Sequence, residues 1–111
     1  MDSTLIVVDA RPDDGRYAVV TSMEYVHRVI VVSSWAAALT DLSFPPRAVV
    51  LADVGRNERI VASIVRTCRS LGCRVVCDTG RVSAPVARKA LAAGAVAWDG
   101  SPEGVPGAFG D

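Results

Sequence analysis

Short apolar runs recur along the chain and are separated by longer stretches of mixed character. Five such runs lie at residues 5–8, 29–32, 48–52, 75–77 and 95–98. They are rich in valine and do not alternate with polar residues, which is typical of strands buried on both faces of a sheet. Each intervening stretch is long enough for a helix, and β-α-β crossovers are right-handed. The pattern therefore predicts an α/β fold, a three-layer, doubly wound sheet of five parallel strands.

Two of the intervening stretches carry clear helix signals. Apolar residues recur at spacings of three and four over residues 60–71, with Asn57 as the predicted N-cap and Gly72 as the predicted stop. After the fourth strand, Ser83 is the predicted N-cap of a helix that Gly94 ends. The polar face of the first of these two helices carries Arg59, Arg66 and Arg69. We expect these side chains to be solvated rather than to form a phosphate site.

The first two helices are less well defined. Pro12 is a suitable start for a helix over residues 13–26, although Gly15 and several β-branched residues lower its helix propensity. Ser34 is the predicted N-cap of a short second helix that reaches Leu42 and ends before a pair of prolines.

The last stretch of the sequence breaks the pattern. Residues 100–111 include four glycines and two prolines, so we expect the last helix to be absent or irregular. On this interpretation residues 1–100 form the domain, and residues 101–111 form a tail or the start of a linker. Part of one sheet face would then lack its own cover, which predicts a homodimer or docking of a domain that follows.

Composition and charge exclude several classes of protein. Twelve basic and twelve acidic residues give no net charge, so no overall field attracts nucleic acid or an anionic membrane. No basic segment precedes Leu5, and no apolar run approaches the roughly 20 residues that cross a bilayer, so we expect a cytoplasmic protein. The three cysteines form no C-x-x-C pair and are expected to be buried apolar residues: Cys68, Cys73 and Cys77.

Polar residues follow four of the predicted strands, at Asp9, Ser33, Asp53 and Thr79. Because the carboxyl ends of parallel strands meet at one edge, with strands one and three adjacent at the topological switch point, we expect these side chains to lie close together. Such an edge is where a ligand or reactive group binds in an open α/β sheet.

Together with these residues, four short motifs carry a family resemblance: Val7-Val8-Asp9, Val50-Leu51-Ala52-Asp53-Val54, Val76-Cys77-Asp78-Thr79-Gly80 and Ala90-Leu91-Ala92-Ala93-Gly94-Ala95. In their order and spacing the chain resembles the receiver domains of two-component response regulators. Ser101-Pro102-Glu103 is similar to the start of the last helix in the LuxR-type branch, whose receivers precede a DNA-binding helix-turn-helix. The resemblance implies a flavodoxin-like sheet with strand order 2-1-3-4-5.

The resemblance also implies roles for individual residues. Asp53 stands at the phosphoacceptor position, Asp9 at the first of a pair of acids, and Thr79 at the hydroxyl that switches towards the phosphate. Gly55 stands where a backbone carbonyl would complete a Mg²⁺ site. Three departures weaken this chemistry. Ala10 replaces the second acid, no lysine follows the fifth strand, and the loop after Asp53 is short and lacks the usual proline.

These departures favour an atypical receiver that is not an enzyme, has no cofactor and binds Mg²⁺ weakly at most. It would control an output domain, in particular a DNA-binding transcription regulator, by dimerisation or by binding a small molecule. The alternative is a working receiver that a histidine kinase phosphorylates on Asp53, with Arg56 supplying the missing cation. An enzyme of another flavodoxin-like family has little support, since no Gly-rich phosphate loop follows the first strand.

Overall fold

The computed structural model describes residues 4–11, 15–21, 26 and 28–109, which form one parallel sheet flanked by helices. The strands are β1 (Thr4–Val8), β2 (Arg28–Val32), β3 (Ala48–Leu51), β4 (Arg74–Asp78) and β5 (Val96–Trp98). Their order in the sheet is β2-β1-β3-β4-β5. The predicted five-stranded parallel sheet and its strand order are confirmed.

Burial of the central strands on both faces explains why the strand sequences are rich in valine. Every residue of β1 and β3 is buried, and Ile6 of β1 lies beside Ile30 of β2 on one side and Val49 of β3 on the other. The edge strands β2 and β5 include exposed positions, as expected for strands with only one neighbour.

Helices cover both faces of the sheet. The helices are α1 (Ala18–Thr21), α2 (Trp35–Thr40), α3 (Val61–Ser70), α4 (Ala84–Ala92) and α5 (Val105–Phe109). Two clusters of buried side chains fill the space between the layers. Helices α2, α3 and α4 pack into one cluster, and α1 and α5 pack into the other. The three-layer arrangement is therefore confirmed.

Two predicted caps are confirmed and one is wrong. The Ser34 hydroxyl accepts the Ala37 N–H at 3.1 Å, and the Ser83 hydroxyl accepts the Val86 N–H at 3.4 Å. Asn57 does not cap α3, because a 3₁₀ segment at Gly55–Ile60 precedes that helix and Ile60 is its N-cap residue. The Asn57 side chain instead accepts the backbone N–H of Trp35 at 3.1 Å, at the start of α2.

The first helix is short in the described part of the chain. Gly15, with φ +86°, lies in the turn that leads into α1. The predicted start at Pro12 lies outside the described residues. Helix α2 ends at Thr40, two residues before the predicted Leu42, because the Asp41 backbone is extended. Gly72 ends α3 with φ +82°, as predicted.

The last segment is helical and packs onto the sheet. A 3₁₀ turn at Pro102–Gly104, capped by the Ser101 hydroxyl, leads into α5. Val105, Ala108 and Phe109 are buried, and the Phe109 ring meets Trp98 edge-on with centroids 5.1 Å apart. The last helix is irregular, as expected. The prediction that part of one sheet face lacks a cover is wrong, because α5 covers it. The two prolines are compatible with this helical segment because both fall in first turns, where no N–H donor is needed.

Within the described residues, no helix combines the length and the apolar character that a membrane crossing requires.

Candidate functional site

The carboxyl ends of β1 and β3 bring Asp9 and Asp53 next to each other. The Ala52 N–H donates to the Val8 carbonyl at 3.0 Å, and the Ala10 N–H donates to the Asp53 carbonyl at 2.7 Å. These backbone bonds continue the pairing of the two strands beyond the sheet. The structure therefore places both acids at the switch point, as predicted from their positions after β1 and β3.

Asp9 is fully buried and is neutralised by an arginine from the loop after β4. One terminal nitrogen of Arg81 donates to both carboxylate oxygens of Asp9, at 3.0 and 2.9 Å. The backbone N–H of Arg11 donates to the same carboxylate at 3.0 Å. A buried carboxylate is stable only when it is paired and hydrogen-bonded, so Arg81 supplies the charge that Asp9 needs.

The Arg81 side chain also connects two loops. Besides Asp9, its guanidinium donates to the backbone carbonyl of Arg11. About a quarter of the Arg81 side chain is exposed, at 23%. One arginine therefore joins the loop after β4 to the loop after β1, across the edge of the sheet.

Asp53 has its own arginine. The Nε of Arg11 donates to one carboxylate oxygen at 2.8 Å, and the Gly55 N–H donates to the other at 3.0 Å. The hydrogen bond from Arg11 holds the pKa of Asp53 below its ordinary value, and the Gly55 N–H and the charge of Arg81 act in the same direction. Asp53 is therefore a carboxylate at neutral pH. Its side chain is 23% exposed, whereas that of Arg11 is 88% exposed.

A Mg²⁺ ion fits this arrangement poorly. Both carboxylates already pair with guanidinium groups, and Ala10 offers a methyl group where a further oxygen ligand would be needed. Gly55, the expected carbonyl ligand, has φ +54° and binds Asp53 through its N–H. The described residues hold no group of three or more His, Cys, Asp or Glu side chains placed for a metal.

The arginines that pair with Asp9 and Asp53 are Arg81 and Arg11, not the Arg56 considered from the sequence. Arg56 is the replacement cation only under the phosphoacceptor alternative, and its side chain lies outside the described part of the structure. Arg11 and Arg81 were missed, although each follows a candidate residue by two positions, Arg11 after Asp9 and Arg81 after Thr79. Their proximity to those residues was the available signal.

Thr79 and Ser33 lie at the same edge of the sheet as Asp53 but outside its cavity. The cavity beside Asp53 has a volume of about 260 Å³, and its described lining includes Arg11, Glu58 and Arg81 but neither hydroxyl residue. Thr79 lines a different cavity with Asp99, and its hydroxyl donates to the Trp98 carbonyl at 3.2 Å. Ser33 is exposed. All four residues follow the carboxyl ends of parallel strands, as expected, but Thr79 and Ser33 do not line the cavity that holds Asp53.

A second buried acid, which sequence reasoning missed, lies at the end of β4. Asp78 is fully buried and accepts two hydrogen bonds from Arg16, at 2.8 and 2.7 Å, and one from the Tyr17 hydroxyl at 2.9 Å. Burial and the nearby charge of Asp78 raise the pKa of Tyr17, so this hydroxyl stays protonated. The network links the start of α1 to the carboxyl end of β4.

Two glycines make room for this network. A Cβ atom on Gly80 or on Gly100 would lie 2.6 Å from a terminal nitrogen of Arg16. Gly80 also donates its N–H to Asp78 at 3.2 Å. Because any side chain at these positions would displace the guanidinium, the loops after β4 and β5 are shaped around Arg16.

The three cysteines are buried and free, as predicted. Burial raises the pKa of Cys68 to about 12 and that of Cys77 to about 11. Burial also raises the pKa of Cys73. The thiols are therefore protonated at neutral pH and unsuited to nucleophilic chemistry.

Comparisons with known proteins identify no family for this chain. No family model matches it, and neither does any curated protein or any solved structure. The strand order and the geometry at Asp9 and Asp53 are therefore the observations from which a function is argued.

Proposed function

We propose that this chain is an atypical receiver domain, a signalling module of the response-regulator kind that works without Mg²⁺-dependent phosphorylation. The observation that carries the proposal is the contact of Arg81 with both carboxylate oxygens of Asp9. The flavodoxin-like strand order supports the resemblance to receivers, but a fold by itself licenses no function. The chemistry of the site must therefore supply the support for a function.

The Arg81 guanidinium provides in permanent form the positive charge that a metal would provide in a phosphorylated receiver. Mg²⁺ loses its water reluctantly and requires near-octahedral oxygen ligands. To reach Asp9 it would have to displace Arg81 from a fully buried carboxylate, and the displaced guanidinium would remain close by as a repelling charge. The site therefore favours a cation that belongs to the protein.

Regulation would then come through association or through a ligand rather than through a phosphoryl group. Since α5 covers the sheet face that suggested association, the resemblance to receivers is what supports our proposal that the domain acts in the cytoplasm, forms a homodimer, and controls an output domain that follows it, in particular a DNA-binding transcription regulator. A small ligand would bind in the cavity beside Asp53, which has a volume of about 260 Å³. Arg11 is 88% exposed, so it can leave Asp53 at little cost when a ligand enters.

The test is the oligomeric state in the presence of a phosphate mimic. Sedimentation velocity is measured at high micromolar protein with beryllium fluoride and Mg²⁺, with Mg²⁺ alone, and with neither. We expect a dimer whose sedimentation coefficient is the same in all three conditions and in Asp53→Ala. A change that requires both reagents and that Asp53→Ala abolishes would refute the proposal, and a strictly monomeric species would refute the dimer.

A second candidate function is a working phosphoacceptor, and one observation favours it. The Asp53 carboxylate is ionised, 23% exposed and lines a cavity, so a donor can approach it. A carboxylate oxygen of Asp53 would attack the phosphorus of a phosphohistidine or an acyl phosphate. The new P–O bond would form as the donor's bond to phosphorus breaks, and the donor would leave with the electron pair.

Intact-mass spectrometry after incubation with acetyl phosphate and Mg²⁺ separates the two functions. The atypical receiver predicts the unmodified mass. One added phosphoryl group that is absent from Asp53→Asn would instead establish the phosphoacceptor.

A further inference from the structure

A second cleft opens at the opposite end of the sheet from Asp9 and Asp53. It lies at the amino ends of β3, β4 and β5 and has a volume of about 580 Å³. Its lining includes Arg47, just before β3, Arg74, the first residue of β4, and Arg69, near the end of α3. The volume is within the range of small-molecule pockets, about 300 to 1,000 Å³.

The charge of the described lining of this cleft is one-sided. Three arginines line it, and no carboxylate side chain is among its described lining residues. Arg69 and Arg74 form no salt bridge with the acids of the described chain. Each donates through Nη1 to a backbone carbonyl instead, Arg69 to Ala93 at 3.4 Å and Arg74 to Ala108 at 3.2 Å. A guanidinium has five N–H donors, so each retains donors for a ligand.

The two guanidinium groups contact backbone beside the cleft, Arg74 through a part-buried bond of 3.2 Å and Arg69 through an exposed bond of 3.4 Å. Arg69 lies directly over Gly94, where a Cβ atom would come within 2.0 Å of its Nη1. Arg74 is held by the last turn of α5 through the Ala108 carbonyl. Fixing the Arg74 side chain in advance removes part of the ordering cost of binding, so the arrangement favours recognition of an anion.

The rest of the cleft is apolar. Val75 and Val96 come from β4 and β5, and Phe109 comes from the last turn of α5. Phe109 and Val75 are each only 2% exposed, so they form a floor rather than a solvated rim. The combination of guanidinium groups with an apolar floor matches a ligand that has an anionic end and an apolar body.

We propose that this cleft binds a phosphate-bearing small molecule. Arginine forks match phosphate oxygens in pairs, and a multiply charged phosphate has enough oxygens to engage Arg69 and Arg74 together. The space beyond the arginines exceeds that of a phosphate alone and ends on the apolar floor, which suits a nucleotide. The site is separate from Asp53 and does not depend on whether the chain is a receiver.

Isothermal titration calorimetry on the full chain, with inorganic pyrophosphate and with ADP as the two probes, tests the proposal. Each probe is expected to show one saturable site. Arg69→Gln and Arg74→Gln should each weaken binding about tenfold or more, since a charge-assisted hydrogen bond is lost. A tighter affinity for ADP than for pyrophosphate assigns the site to nucleotides, and equal affinities assign it to inorganic phosphate anions.

Arg66→Gln is the matched control, because Arg66 is exposed on the same helix and does not line the cleft. It removes the same charge and should change the affinity less than twofold if binding is site-specific. Arg69→Gln keeps the test decisive if Arg74→Gln, which also loses its bond to Ala108, fails to fold. Saturable binding by neither probe, or equal loss in Arg66→Gln and Arg69→Gln, would overturn the proposal.

Discussion

Arg81 has a structural role that can be separated from any signalling role. It is the cation of a carboxylate that has no access to solvent, since Asp9 is fully buried. When one partner of a buried ion pair is removed, the other is left as an uncompensated buried charge, and this costs more than the pair itself contributes. The stability of the strand ends therefore depends on Arg81.

Arg81→Ala is expected to lower the free energy of unfolding by about 3 kcal/mol, because the Arg11 N–H alone does not replace the lost charge on Asp9. Urea denaturation followed by circular dichroism measures the change. Arg88→Ala, which removes an exposed arginine of α4, is the control and should stay within about 0.5 kcal/mol of the parent. A loss of that small size in Arg81→Ala would contradict this role.

The pKa of Asp53 reports on Arg11. The carboxylate titrates below its ordinary range in the folded chain, so its contribution to stability is present above the unfolded pKa and is lost as pH falls through the folded pKa. Arg11→Gln should raise the pKa of Asp53 towards its ordinary value while the Gly55 N–H keeps part of the shift. Carbon-13 NMR of the Asp53 carboxyl measures both titrations. An unchanged or lower pKa would show that Arg11 does not bind Asp53 in solution.

At the scale of elements, the start of α2 shows how a short helix is fixed at its first turn. The Ser34 hydroxyl accepts the Ala37 N–H, and the Asn57 side chain accepts the Trp35 N–H. Both N–H groups lack partners within the helix, so side chains must satisfy them. A residue of the loop after β3 therefore stabilises a helix that precedes β3.

Ser34→Ala should lower the free energy of unfolding by about 1 kcal/mol because the Ala37 N–H loses its acceptor. Its neighbour gives a matched control, since Ser33 is exposed and Ser33→Ala makes the same chemical change without removing a cap. Thermal unfolding of both variants provides the comparison. Equal effects in the two variants would show that the cap contributes nothing.

The sequence was sufficient to predict the elements but not the partners of the side chains. Valine-rich runs identified the strands because burial on both faces excludes polar residues. Asn57 was assigned the wrong helix because a 3₁₀ segment precedes α3, and local pattern does not distinguish it from a cap. The bond between Arg81 and Asp9 spans 72 residues, so only the folded arrangement of the loops brings the two side chains together.

At the scale of the whole molecule, the last described segment completes the second layer of helices. Helix α5 buries Val105, Ala108 and Phe109 on the same face of the sheet as α1, and Tyr17 and Trp98 complete the aromatic contacts there. The glycines and prolines of this segment obscured its helix in the sequence. A short helix with each proline in a first turn is nevertheless compatible with that composition.

Phe109→Ala should lower the free energy of unfolding by about 3 kcal/mol and shift Trp98 fluorescence to longer wavelength, since the ring is buried against the indole. Fluorescence-detected urea denaturation measures both effects, and Trp35→Phe in both backgrounds isolates the signal of Trp98. Leu42→Ala is the control, because Leu42 is fully exposed. If Phe109→Ala behaved like Leu42→Ala, α5 would not be packed in solution.

The two ends of the sheet differ in how charge is arranged. At the carboxyl ends, Asp9, Asp53 and Asp78 each pair with an arginine of the same chain. At the amino ends, Arg69 and Arg74 face a cleft whose described lining holds no carboxylate. The molecule therefore combines a site whose carboxylates are neutralised internally with a separate cleft suited to an anion.

Titration of the ¹⁵N-labelled chain with Mg²⁺ at constant ionic strength tests most directly whether Arg81 and Arg11 stand in for a metal. Amide chemical shifts are followed at Ala10, Asp53 and Gly55, which surround the two carboxylates. If the guanidinium groups hold the site, these shifts stay constant as Mg²⁺ is added. Saturable shifts at these amides would contradict the account.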